Sequence, residues 1–343
     1  MKQASLRSIP LAVTAFLLGQ LGLSASAQAQ AVTVYGAIGL DVIYASGVAK
    51  AGGGSGSVIK IDDNAIVNSR IGIKGGEDLG GGLKAIFDLE SSVAPDTGSA
   101  RSAFWNRNAF VGLSGGFGTV KVGHQWNVAD DYMCGYFVCA YYAPFLLNGF
   151  GALSDYYDNV VKYTSPNIGG FEGGVMYAPG EQAGKVTAGQ KFQAAANYGS
   201  GPLGAGVVVF SEKSSATGET NTMYALGASY DLGAAKLRLG VASADVKYSA
   251  PFEATLINLG VDVPLSAATT VSADFVKKDV SSGTEPDLSF LRLRGTYALS
   301  KRTSLNANVV YIDNAKGGTV GFAGATEPGK SQTILTAGIT HAF

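Results

Sequence analysis

The stretch Val32-Thr33-Val34-Tyr35-Gly36-Ala37-Ile38-Gly39-Leu40-Asp41-Val42-Ile43-Tyr44 decides the fold class. Val32, Val34, Ile38, Leu40 and Val42 share one parity, and Thr33, Tyr35, Gly39 and Asp41 share the other. Successive strand side chains point to opposite faces, so this is a strand with one apolar face and one that accepts polar and small residues. The same period recurs at Arg70-Ile71-Gly72-Ile73-Lys74, from Leu83 to Glu90, from Val120 to Gly123, from Leu237 to Val241, from Leu259 to Val263 and from Leu291 to Arg294. In the last run, Thr333 to Phe343, Ile339 and Phe343 fall on one parity and Thr340 on the other.

Turn signals punctuate these runs at a regular pace. Short ones stand at 78–82, 115–118, 166–170, 200–202, 231–233, 264–266 and 300–302. Longer polar stretches lie between them at 47–67, 93–101, 127–158, 180–188, 212–221, 246–252, 280–287 and 314–331. Short and long connections alternate, and together they join sixteen strands. A soluble sandwich has no reason to sort its connections by length onto opposite ends. An outer-membrane barrel does, with short periplasmic turns, long outer loops and strands of about 9–11 residues. The reading is therefore all-β: a transmembrane, antiparallel, 16-stranded β-barrel. Closure removes the sheet's edges and satisfies every backbone amide in lipid. Aromatic residues near strand ends (Tyr35, Tyr44, Phe87, Trp126, Tyr163, Tyr177, Tyr230, Tyr297, Tyr311 and Phe343) suit the girdles at the two membrane interfaces.

Composition agrees. Of 343 residues 46% are hydrophobic and only 15% charged, and 48 glycines show no collagen period. The 25 Lys and Arg against 26 Asp and Glu leave no basic excess for a nucleic acid. Two cysteines and two histidines are too few for a multi-ligand metal centre, and no cofactor is called for. Lys2 and Arg7 precede an apolar run from Ile9 to Leu23 and small residues up to Ala29, the layout of a secretory signal peptide. Thr14 and Gln20 interrupt that run, which is short for a membrane-spanning helix. Cleavage after Ala29, or after Ala27, removes two basic residues and leaves 23 against 26. The expected organisation is a signal segment at 1–29 and a barrel at 30–343.

The chain resembles the general porins of Gram-negative bacteria, especially those of the betaproteobacterial branch. The likeness is carried by Ser69-Arg70-Ile71-Gly72-Ile73-Lys74-Gly75-Gly76-Glu77-Asp78-Leu79-Gly80, Phe110-Val111-Gly112-Leu113-Ser114-Gly115-Gly116-Phe117-Gly118, Val161-Lys162-Tyr163-Thr164-Ser165-Pro166-Asn167 and the ending Gly338-Ile339-Thr340-His341-Ala342-Phe343. The resemblance implies a homotrimer set among outer-membrane lipids and lipopolysaccharide, passing ions and small hydrophilic solutes passively. It also implies that Phe343 is the aromatic terminus read by the outer-membrane assembly machinery.

Sixteen strands enclose a space too wide for side chains to fill. The third long connection, 127–158, is the longest and most aromatic, with Tyr132, Tyr136, Phe137, Tyr141, Tyr142, Phe145, Phe150, Tyr156 and Tyr157. Such a loop would be costly in water, and in the resembling porins its equivalent folds inward to narrow the passage. The alternative is a loop buried at a subunit or lipid contact. Lumen parity selects Arg70, Lys74, Lys84, Asp88 and Lys121 on the wall, where charge would select ions. Arg70 and Arg107 fall where similar porins place arginines of a basic cluster. Simple alternation groups Arg107 with Val111 and Leu113, so a bulge is needed to turn it inward. The chain departs from those porins at Tyr156, where a further basic residue is common. The loop carries Asp130, Asp131, Asp155 and Asp158 and no Lys or Arg, which sets acids on the loop against bases on the wall.

Cys134 and Cys139 lie in the same loop. In an oxidising envelope a disulfide is expected, with free thiols or a metal pair as the alternatives. Gly112-Leu113-Ser114-Gly115-Gly116 fits a nucleophile elbow but is followed by another strand rather than a helix. Gly199-Ser200-Gly201-Pro202-Leu203-Gly204 fits a dinucleotide fingerprint but reads as a hairpin turn. His124 and His341 suit wall and rim positions, and no catalytic site emerges. The rival readings are a solute-specific channel of the same fold, suggested by the aromatic loop, and a barrel hydrolase. A recognition role for 47–67 and 314–331 is compatible with either channel.

Overall fold

The computed structural model describes residues 31–63, 67–139, 154–248, 250–315 and 317–343. The residues read as the signal segment lie outside it, as do Tyr141, Tyr142, Phe145 and Phe150 of the aromatic loop. The elements in the first half are β1 (Ala31–Ala49), β2 (Ser55–Asp63), β3 (Arg70–Gly80), β4 (Leu83–Ala94), β5 (Ser99–Ala100), β6 (Asn108–Gly115), β7 (Gly118–Trp126), α1 (Val128–Met133), β8 (Tyr156–Thr164) and β9 (Phe171–Ala178). Then come β10 (Lys191–Ser200), β11 (Leu203–Lys213), β12 (Thr220–Asp231), β13 (Lys236–Val246), β14 (Phe252–Pro264), β15 (Thr269–Gly283), β16 (Leu288–Ala298), β17 (Thr303–Asn314) and β18 (Gln332–Ala342).

The strands pair antiparallel in sequence order, except that β2 and β3 both pair with β1 and β6 pairs with β4; β1 also pairs with β18, which closes the sheet. Eighteen strands make sixteen staves. β2 and β3 pair in turn with the upper and lower halves of the 19-residue β1, so together they occupy one position. β5 is a two-residue pairing onto the end of β4, within an outer loop. The expected loop at 47–67 is therefore corrected in part. A tight turn, with Lys50 N donating to Gly54 O and Gly52, Gly53 and Gly54 at positive φ, sends the chain straight back into strand. The glycine and serine content there reflects that turn, and the alternating Val58-Ile59-Lys60-Ile61 behind it is sheet. Where β2 passes into β3, the fully buried Asp63 carboxylate accepts from the Ser69 amide and hydroxyl, and Ser69 Oγ accepts from Gly39 N.

The two faces invert the order of a soluble protein. On β13, Leu237, Leu239 and Val241 are exposed while Arg238, Ala242 and Ala244 are buried. Val32, Val34 and Val42 on β1 and Leu291 and Leu293 on β16 are likewise exposed. Apolar residues on the outside belong in lipid, because in water such a band would be a large unpartnered patch. Exposed aromatics flank it at two heights. Phe117, Phe171, Tyr230 and Tyr297 stand near the short turns, and Tyr44, Tyr177, Tyr224 and Tyr311 stand toward the long loops. Six residues separate Phe171 from Tyr177, and likewise Tyr224 from Tyr230, which is roughly 20 Å of strand. Tyr35 and Trp126, expected in the girdles, are not there: both turn inward, Tyr35 to Asp88 and Trp126 to the ring of Tyr156.

Candidate functional site

The chain after β7 enters the barrel instead of leaving it. Asn127 caps α1, its Oδ1 accepting from Asp130 N at 2.7 Å and its Nδ2 donating to Asp130 Oδ2 at 2.7 Å. An asparagine at this position satisfies an amide that the short helix leaves open. Two further open amides, Val128 N and Ala129 N, donate to Gln193 Oε1 on β10 at 2.9 and 3.2 Å. Beyond the helix, the Tyr136 hydroxyl donates to Asn197 Oδ1 at 2.7 Å, and Val138 N donates to Asn258 Oδ1 at 2.9 Å. Three polar side chains of the lumen wall thus hold the loop along its described length.

Glycines on the same wall make room for its rings. A Cβ on Gly240 would stand 2.5 Å from the Phe137 ring, and one on Gly206 2.7 Å from Tyr136. A Cβ on Gly227 would lie inside the Tyr136 ring's contact distance, and one on Gly174 2.8 Å from Tyr132. Tyr132, Tyr136 and Phe137 are accordingly buried. A disulfide joins Cys134 to Cys139, with their Cα atoms 5.3 Å apart, and closes a small ring at the loop's turning point.

The facing wall is charged. Arg70 Nε lies 3.3 Å from Glu90 Oε2, and Arg107 Nε binds Glu90 Oε1. Arg107 does turn inward. Its amide donates to Glu90 O while Asn108 is Glu90's ladder partner, so two residues oppose one. Its guanidinium rests 5.5 Å from the ring centroids of both Trp126 and Tyr156. Tyr156 therefore supplies a π face beneath that cation. Asp88 accepts from the Tyr35 hydroxyl at 2.7 Å, Lys74 lies 4.6 Å above the Tyr35 ring, and Lys121 lies 4.8 Å above Phe110. Arg70, Asp88, Glu90, Arg107 and Lys121 share one cavity of about 290 Å³. Lys84 does not: it sits six residues down β4 from Glu90, beside the short turn.

The loop's acids are placed unequally. Asp130 is buried in the helix cap, and burial, with Asp155 nearby, pushes its carboxyl well above the usual carboxylate range. Burial likewise raises Asp155, against the pull of Arg107. Asp131 binds Lys162 Nζ at 2.7 Å, and that same nitrogen donates to Trp126 O. Asp158 is exposed and pairs with His124 at 2.6 Å, outside the cavity. Sequence reasoning did not single out Glu90, which clamps both arginines, or Lys162, Gln193, Asn197 and Asn258, which hold the loop. The usable signal was the lumen parity of β10 to β13, where small or amide residues (Ala195, Asn197, Gly227, Gly240) replace the expected charges.

A closed barrel with lipid-facing apolar strands, a polar interior and an infolded loop is a membrane diffusion channel. Residues 12–317 match the model of the Gram-negative porin family. The chain is 31% identical to outer membrane porin protein 32 of Delftia acidovorans, covering 95% of this chain and 98% of that protein. An outer membrane porin of Bordetella pertussis is 28% identical, with 88% and 95% covered. The solved structure of an anion-selective porin from Comamonas acidovorans superposes with a TM-score of 0.80 at 29% identity, over 92% of this chain and 100% of that one. The chain belongs to the Gram-negative porin family, resides in the outer membrane and forms a water-filled channel for passive diffusion of ions and small hydrophilic solutes.

Proposed function

We propose that this porin is a homotrimer whose constriction, between the loop 127–158 and the wall of β3 to β8, favours small anions over cations. One observation carries the preference: the loop's acids do not oppose the wall. Asp130 is buried, Asp131 is engaged with Lys162, burial holds the Asp155 carboxyl toward its neutral form despite nearby Arg107, and Asp158 faces away. What remains toward the cavity and just below it is Arg70, Lys74, Arg107 and Lys121 against Asp88 and Glu90, four positive charges to two negative. In a narrow passage with low-dielectric walls such an excess attracts counter-ions and repels co-ions. The relative from Comamonas acidovorans is itself described as anion-selective, and one from Vibrio cholerae as a trimer. Phe343 fits recognition by the outer-membrane assembly machinery, and the apolar band fits lipid and lipopolysaccharide. Of the aromatic residues that suggested a solute-specific channel, Tyr132, Tyr136, Phe137 and Tyr157 are buried, while Tyr156 lines the cavity beneath Arg107.

The test is reversal potential in a planar bilayer across a salt gradient. The wild type is expected to show anion preference, and Arg70→Ala and Lys74→Ala each to move the potential toward cations. A cation-selective wild type, or potentials unmoved in both variants, would overturn the assignment.

A further inference from the structure

A second group of charges lies on the wall beyond the loop's turning point, on β13 to β16. Asp274, with no side-chain exposure, accepts from Arg238 Nη2 at 2.7 Å and from Arg292 Nη2 at 2.6 Å. Asp262 accepts from Arg238 Nε at 2.8 Å and from Ser272 Oγ at 2.7 Å. Both carboxylates are thereby engaged with Arg238 and Arg292. Arg294, two residues along the same face of β16, pairs with no carboxylate among the described residues, and Ser272 Oγ at 3.2 Å is its hydrogen-bond partner. Its Nε and the Nη1 of Arg292 are buried donors without acceptors. Lys236, at the start of β13, likewise has no ion pair among the described residues. These groups, except Asp274 and Ser272, line a cavity of about 220 Å³ roofed by Gly135, Phe137, Val138 and the disulfide. The roof is uncharged, and residues 140–153 contain no Asp or Glu that could supply a counter-charge.

We propose that this cavity is an anion station, separate from the Arg70–Arg107 cluster, that binds small doubly charged oxoanions of the phosphate class. Lys236, Arg238, Arg292 and Arg294 against Asp262 and Asp274 leave two positive charges, which a dianion balances. Guanidinium groups offer forked N–H donors that match the oxygen spacing of phosphate better than a spherical halide does. The volume admits such an ion with several waters, each taking about 30 Å³. The station lies toward the short turns, four residues down β14 from the loop anchor Asn258 to Asp262. An anion crossing the constriction therefore meets it next. The inference rests on an open, water-filled channel, but not on the wall cluster's selectivity.

The test titrates inorganic phosphate, above its second ionisation, into chloride solutions bathing the reconstituted channel. Wild-type chloride current should fall with a saturating dependence on phosphate. Arg294→Gln should raise the half-saturating concentration roughly fivefold or more, and Lys236→Gln roughly twofold, as expected for losing one charge-assisted contact. Arg70→Gln should leave it within about twofold while moving the reversal potential. A current that falls linearly without saturation would overturn the proposal. So would an unchanged half-saturation in Arg294→Gln, or, if that variant does not fold, in Lys236→Gln. Sensitivity confined to Arg70→Gln would place phosphate on the other wall and also overturn it. Absence of any chloride current would instead count against the channel itself.

Discussion

The two inner walls of this barrel are built on opposite plans. Where β9 to β13 meet the loop, the lumen-facing positions are small or carry amides: Gly174, Gln193, Asn197, Gly206, Gly227, Gly240. From β3 to β8 they are long and charged: Arg70, Lys74, Asp88, Glu90, Lys121, Lys162. Both walls use the same alternation and the same lipid-facing apolar set, so the difference lies only in what each is shaped to meet. The first receives a protein segment, which demands space for rings and partners for backbone amides. The second meets water and ions. At the level of the loop, geometry belongs to one side and charge to the other, and the two can be altered separately.

The largest effect should come from destroying the slot. Gly227→Leu places a side chain where the Tyr136 ring lies, so the loop must leave the wall. Overpacking of this kind costs typically about 1–3 kcal/mol. Single-channel conductance should change severalfold, whereas Gly295→Leu, with open space around its Cβ, should leave it unaltered. Next is Gln193→Leu, which leaves the Val128 and Ala129 amides buried without an acceptor at about 1–3 kcal/mol each. It should produce frequent transitions between conductance levels, with little change in ion preference. Removing the disulfide by Cys134→Ser with Cys139→Ser loosens only the turning point, because the Gln193, Asn197 and Asn258 anchors remain. Current noise should rise while mean conductance stays within about twofold, since the closed ring is short. The smallest effect is that of pH. A raised Asp130 carboxyl favours its protonated form in the folded loop, so loop stability is greatest below the ordinary carboxylate range and declines as pH rises through the raised value. Acidification should therefore quieten the channel, and Asp130→Asn should remove that dependence. Noise that grows on acidification would contradict the assigned direction.

Much of the architecture was readable because period-two alternation and the sorting of connections by length are strong, local and repeated. The short turns at 78–82, 115–118 and 231–233 fall where glycine demands them. The stave broken between Asp63 and Ser69 was not readable, because it depends on a buried hydrogen-bond knot with Gly39, thirty residues away. Charge on lumen parity picked out Arg70, Lys74, Asp88 and Lys121, which stand together on one inner wall. It overreached with Lys84, since parity gives a side chain's face and not its depth along the strand. Asp130 looked like a pore acid by charge alone, but its helix cap turned it away from the water. Glu90 escaped notice because its importance comes from two arginines reaching it from either side, Arg70 on β3 and Arg107 just ahead of β6.

The closing pair of hydrogen bonds joins the last residue to the first stave: Phe343 N donates to Gly36 O, and Gly36 N to Phe343 O. Chain ends more than three hundred positions apart must meet before the cylinder is sealed. Such distant partners make for slow closure, and until they meet β1 keeps an unpaired edge. A fragment lacking its final segment would keep an unpaired β1 rim.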